Sequence, residues 1–174
     1  MLSNAHKPLL GFAAYSGVGK TTLLRAVLPI LLDAGIRTAL VKHAHHDFDI
    51  DQPGKDSYEL RKAGASSVLV SSARRRALMT DHAVPADPLL NDELACLPQD
   101  DIDLILVEGF RHEAFAKIEL YRPQAGHPPI YPGDEHVIAV ATDGELPETT
   151  DLPRLDINKP AQVAELIMRH FGLA

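Results

Sequence analysis

Between the apolar run Leu9 to Ala13 and a helical pattern that begins at Thr22 stands Ala14-Tyr15-Ser16-Gly17-Val18-Gly19-Lys20-Thr21. Small residues, a lysine and a hydroxyl at this spacing suit the capture of a polyphosphate. Gly17 and Gly19 carry no Cβ, so backbone N–H groups can approach phosphate oxygens closely. The first turn of the following helix adds its unpaired N–H groups and its positive dipole end. Lys20 can reach the β- and γ-phosphates, and the Thr21 hydroxyl can ligate Mg²⁺. Strand before and helix after is the context of a P-loop. The expected nucleotide contacts are Ser16, Gly17, Val18, Gly19, Lys20, Thr21 and Thr22. Ala14 replaces the usual first glycine, so the loop should still close, though with less freedom at its first turn.

A P-loop needs an acidic residue at the end of a neighbouring strand to complete its Mg²⁺ site. Glu108 ends the apolar run Ile102 to Val107 and precedes Gly109, while Asp103 marks the start of that strand. The segment Lys42-His43-Ala44-His45-His46-Asp47-Phe48-Asp49 follows another strand and allows three readings. His43, His45 and His46 suit a transition metal, Asp47 or Asp49 suits a second Mg²⁺ contact in a switch-like loop, and the whole suits a partner surface. The carboxylates sensing phosphate are favoured, with Thr21, Glu108 and Asp47 as the expected metal set. Asp143 is the candidate for reading a guanine edge. Asn158-Lys159 is similar to part of a guanine-reading motif, but Ala161 stands where an aspartate is needed. Arg111-His112 is the preferred anion contact; Arg74-Arg75-Arg76 reads as a solvated strand edge. Asp56-Ser57-Tyr58-Glu59 has capping-box spacing, and Lys55 is a weak phosphate candidate. The residues name no catalytic group.

These groups need a scaffold, and strands alternating with helices supply one. Strands are expected at Leu9 to Ala13, Arg37 to Lys42, Ser67 to Ser71 (buried), Arg76 to Thr80, Ile102 to Val107, Lys117 to Tyr121 and His136 to Ala141. Helices are expected from Lys20 to Ala34, Asp56 toward Gly64, Asp87 to Leu97, and from Asn158-Lys159-Pro160 to Gly172. The pattern gives an α/β P-loop NTPase fold, a mostly parallel sheet flanked by helices on both faces. The 174 residues suit one nucleotide-binding domain over 1–174. With Lys+Arg at 17 against Asp+Glu at 24, neither nucleic acid nor an anionic membrane is an expected partner. Cys96 is the single cysteine, and Met1 to Pro8 lacks an apolar signal core, so a cytoplasmic protein is expected.

Beyond chemistry, four blocks resemble the molybdopterin-guanine dinucleotide biosynthesis protein B family, the GTP-binding adapters of molybdenum-cofactor maturation. They are Phe12 to Thr22, Val41 to Asp47, Pro53 to Ala65, and Asp103 to Phe110. The first and last recur in many P-loop proteins; the histidine loop and the Pro53-Gly54-Lys55-Asp56-Ser57 block are the discriminating ones. The resemblance implies a homodimer that binds GTP and Mg²⁺, hydrolyses GTP slowly if at all, and assists a molybdenum-cofactor guanylyltransferase attaching GMP to molybdopterin. Molybdopterin or its molybdenum form is a further implied partner. The rival readings are an ATP-using P-loop small-molecule kinase or ligase and a metallochaperone GTPase.

Overall fold

A computed structural model describes residues 2–44 and 48–173. Among the described residues, eight strands and four α-helices follow in the order β1 (Leu9–Ala13), α1 (Lys20–Asp33), β2 (Thr38–Lys42), α2 (Asp56–Lys62), β3 (Ser67–Ser71), β4 (Arg76–Thr80), α3 (Leu90–Cys96), β5 (Leu104–Glu108), β6 (Lys117–Tyr121), β7 (Val137–Thr142), β8 (Arg154–Asp156) and α4 (Pro160–Phe171). The chain divides into two compact units, Met1–His43 with Leu89–Ala174, and Ala44–Pro88.

In the first unit six parallel strands form one sheet in the order β2-β5-β1-β6-β7-β8. Alternation along each strand divides the side chains between two layers. Leu10, Phe12, Leu104, Leu106, Ile118 and Leu120 meet Leu24, Val27, Leu31, Val163 and Ile167 of α1 and α4. On the opposite face Ile105 and Val107 meet Leu90 and Leu94 of α3. All five residues of β5 are buried, as a parallel strand covered on both sides requires. Helices on both faces and a parallel sheet agree with the expected fold class. The central strand β1 is where the chain's connections change direction, and ligands bind such sheets outside the carboxyl ends of the strands at that point.

Several boundaries differ from expectation. The helix expected from Asp87 begins at Leu90, because the chain stays extended through Leu89 (φ −95°, ψ 127°). Asp56 is not a cap: Lys55 holds the cap position without a side-chain bond, and Glu59 Oε1 instead accepts from the Gly54 N–H at 3.2 Å. Strand β8 spans three residues, too few for a periodic signal to form. Asp103 does mark the start of its strand, taking the Arg37 N–H, Nε and Nη2 at 2.9, 3.1 and 3.0 Å.

The second unit holds α2 and an antiparallel hairpin of β3 and β4. Ser67–Ser71, expected buried, is exposed, with Leu69 at 62% and its cross-strand partner Leu78 at 64%. A short apolar run reports strand propensity but not whether a second layer covers it. Arg61 is buried in this unit, its Nη2 donating to both Asp49 oxygens at 2.7 and 2.6 Å and its Nη1 to Asp81 at 3.3 Å.

Candidate nucleotide-binding site

The loop leaving β1 turns into α1 at Gly19, whose φ of 108° and ψ of 23° lie in the left-handed region. A Cβ there would strain the backbone, so the turn into the helix depends on glycine. Val18, 3% exposed, pins the loop to the core beneath, whereas Ser16, Gly17, Thr21 and Thr22 are exposed. Lys20 folds back over the loop and donates to the carbonyls of Ala14 (2.9 Å) and Tyr15 (3.3 Å). Burial lowers its pKa; Glu108 opposes that effect, and the cations Arg111 and Lys42 add to it.

Register brings the acidic partner alongside. Glu108 lies opposite Phe12 of β1 and Lys42 of β2. The Thr21 hydroxyl donates to Glu108 Oε1 at 3.4 Å, and Lys42 Nζ stands 3.4 Å from Oε2. A hydroxyl and a carboxylate together at a helix N-terminus are hard oxygen donors, and they fit Mg²⁺, which retains water and phosphate oxygens as its other ligands. Behind Glu108 the chain passes close to His43. A Cβ on Gly109 would come 2.6 Å from the His43 Cβ, and the φ of 99° disfavours one as well. Phe110 follows at φ 51°, unusual for an aromatic residue, with its ring stacked on His43 at 4.9 Å. The His43 N–H donates to the Glu108 carbonyl at 2.8 Å. His45, His46 and Asp47 lie outside the described residues. Among the described residues no group of three His, Cys, Asp or Glu could hold a metal ion.

Farther along the carboxyl edge, Asp143 pairs with Arg122 Nη1, while Arg122 Nε donates to the Val18 carbonyl at 3.0 Å. One side chain therefore ties the phosphate loop to the expected base reader. A cavity of about 460 Å³ opens there, lined by Thr142, Asp143, Arg154, Asp156, Asn158 and Gln162. The Asn158 N–H donates to Asp156 Oδ1 at 2.9 Å, and this bond leads the influences that lower the Asp156 pKa. Arg74 and Arg75 sit in the hairpin turn, their N–H groups on Ser72 Oγ at 3.3 and 3.1 Å.

The sequence model of the family described as "Molybdopterin guanine dinucleotide synthesis protein B", MobB, matches residues 9–143, from the phosphate-loop strand to Asp143. The chain belongs to the MobB family. Two MobB relatives are each described as a molybdopterin-guanine dinucleotide biosynthesis adapter protein. The one from Escherichia coli (strain K12) is 51% identical over 162 residues, 92% of this chain and 91% of its own. That from Haemophilus influenzae is 42% identical over 174 residues, 97% of this chain and 93% of its own. Among solved structures, a MobB homolog from Bacillus stearothermophilus superposes with a TM-score of 0.70 at 21% identity, covering 95% of this chain and 99% of its own. MobB from Bacillus subtilis does so at 0.67 and 18%, covering 94% and 97%. At such identities these structures speak for the fold alone. Among the described residues no helix is long and apolar enough to cross a membrane.

Lys42 and Arg122 escaped the sequence reading of this MobB-family site. Each acts across strands that are far apart in the chain, and a single sequence does not give their register. The nearest signal was Lys42 as the last residue of the strand expected at Arg37 to Lys42.

Proposed function

We propose that this chain binds GTP with Mg²⁺ and serves as a cytoplasmic adapter to a guanylyltransferase that attaches GMP to molybdopterin. The observation that carries the reading is the Thr21 hydroxyl 3.4 Å from Glu108 at the head of α1, beside Lys20. The phosphates lie on Ser16, Gly17, Val18, Gly19, Lys20, Thr21 and Thr22. Thr21 and Glu108 hold the cation, which supplies neutralisation of phosphate charge when bound. Asp143 reads the base, and the cavity it shares with Asp156 and Asn158 at the ends of β7 and β8 supports that assignment. The chain works as one nucleotide-binding domain over 1–174. The names of the two relatives support an adapter role in molybdopterin-guanine dinucleotide biosynthesis; the guanylyltransferase partner and contact with molybdopterin or its molybdenum form extend that reading. Exposed Leu69, Val70 and Leu78 on the hairpin support a homodimer. Hydrolysis is slow, because none of the residues assigned to the phosphates or the cation is a glutamine or an arginine finger that would position an attacking water.

Calorimetric titration with GTP and with ATP, each with and without Mg²⁺, tests this reading. GTP should bind more tightly than ATP, and Mg²⁺ should strengthen it. Equal affinity for ATP would favour the kinase or ligase reading. A guanylyltransferase assay with and without the chain tests the adapter role, stimulation being the expected result.

A further inference from the structure

A second cavity, about 400 Å³, opens beside the phosphate loop within the unit formed by residues 1–43 and 89–174. Its walls include Tyr15, Arg111, His112, Glu113, Asp134 and His136. The volume lies in the range of small-molecule sites.

One wall presents a positioned cation. The Arg111 guanidinium carbon lies 5.1 Å from the Tyr15 ring centroid, and Arg111 Nε donates to His112 Nε2 at 3.2 Å. Tyr15 is itself stacked on His127, with centroids 4.5 Å apart and planes 15° from parallel. Aromatic neighbours thus orient Arg111, yet among the described residues no carboxylate lies within ion-pair distance of it. Glu113 shares the cavity but forms no ion pair with Arg111, and Asp134 is taken by Lys117, so an arginine held in place with no ion-pair partner among the described residues is a receptor for an anion.

A further part of the lining is braced by two buried side chains that the nucleotide site does not use. Lys117, 1% exposed, donates to Asp134 Oδ2 at 2.8 Å, and Asp134 Oδ1 accepts the His136 N–H at 3.0 Å. Glu119, also 1% exposed, accepts the N–H groups of Ile130 and Tyr131 at 2.8 and 2.7 Å. Residues 130–136 are therefore held from within, and a fixed wall lowers the ordering cost of binding. The Asp134 carboxylate retains lone pairs for further donors.

We propose that this cavity is a second ligand site for an anionic planar heterocycle. Arg111 takes the charged group, while the ring lies between the Tyr15 side and the 130–136 wall, where Asp134 accepts its N–H donors. The choice of a pterin as that ring rests on the adapter reading above; the cavity and its charge do not.

Fluorescence titration of the full chain with pterin-6-carboxylate tests the proposal, with GTP affinity measured in parallel. Saturable binding of one equivalent is expected, undisturbed by saturating GTP and Mg²⁺. Arg111→Ala should weaken it about tenfold or more, and Arg111→Lys should restore part of the loss. Parent pterin, which lacks the carboxylate, should bind more weakly. Displacement of the probe by GTP, unchanged affinity in Arg111→Ala, or equal affinity for parent pterin would each overturn the site. Probe binding without GTP binding would sink the adapter reading and leave the cavity standing. GTP binding without probe binding would do the reverse.

Discussion

Strands β5 and β6 both lie against β1, and both carry charge into the interior, at different points along the strand. β5 has four apolar residues followed by Glu108 at its carboxyl end; β6 opens with Lys117 and buries Glu119 at its centre. The cause is what covers each strand. α3 packs on the face of β5 that carries Ile105 and Val107, and a helix satisfies its own backbone, so apolar side chains suffice. The corresponding face of β6 meets the loop around Ile130–Asp134, whose N–H groups and carboxylate need partners, and Lys117 and Glu119 provide them. Charge at a strand's carboxyl end is left for a ligand, whereas charge at its start or centre is consumed by architecture.

The comparison is broken most severely at Lys117. Replacing it with Met leaves Asp134 without its ammonium, and breaking a buried pair costs about 3 kcal/mol, a fall in Tm of roughly 6–12 °C for a chain this long. Differential scanning calorimetry reads the effect; a Tm within a degree of wild type would mean that the wall does not depend on this charge. On the β1 side, Lys20→Ala should weaken GTP binding by about 10- to 100-fold with Tm little changed, as expected for loss of charge-assisted bonds to phosphate. Affinity equal to wild type in a folded variant would detach the loop from the nucleotide.

Glu108→Gln sharpens the contrast with β6. It should lower the Mg²⁺-dependent part of GTP affinity by about tenfold while sparing metal-free binding, since the amide retains a hydrogen-bonding oxygen but not the charge. Equal losses with and without Mg²⁺ would take Glu108 out of the metal site. The smallest effect belongs to Asp103, which the side-chain bond from Arg37 holds at about 2 against an ordinary 3.8. A carboxyl depressed in the folded state stabilises above its unfolded value and loses that contribution as pH falls. Stability should therefore decline slightly between about 4 and about 2, and Asp103→Asn should flatten that stretch of an acid-unfolding curve.

Local signals carried much of this molecule. The phosphate loop, α1, and α4 with Gly172 as its cap each depend on residues close in sequence, and the structure has them where periodicity and spacing put them; β5 has its terminal glutamate but begins at Leu104, two residues after the expected Ile102. What was missed depends on distant pairing. Lys42 meets Glu108 only because β2 and β5 are neighbours in register, and Arg122 reaches Val18 across the ends of β1 and β6. Glu119 lies within the strand expected at Lys117 to Tyr121, and its role depends on the loop whose Ile130 and Tyr131 N–H groups it accepts. The hairpin misled for the opposite reason, its Val68-Leu69-Val70 run having the composition of an interior strand without a covering layer.

The sheet's pairing order also bears on how the chain acquires its site during synthesis. β1, which carries the phosphate loop, pairs with β5 and β6 alone, Leu9 lying opposite Ile105 and Gly11 opposite Lys117. Emerging from the ribosome at about 5–20 residues per second, β1 waits several seconds for its first partner. Throughout that interval its apolar side chains have only α1 to pack against, and the loop has no Glu108 beside it. The chain therefore becomes competent for phosphate late and in one step, when β5 slots between β1 and β2, and nascent chains ending before that strand expose a sticky N-terminal segment of the kind that chaperones capture.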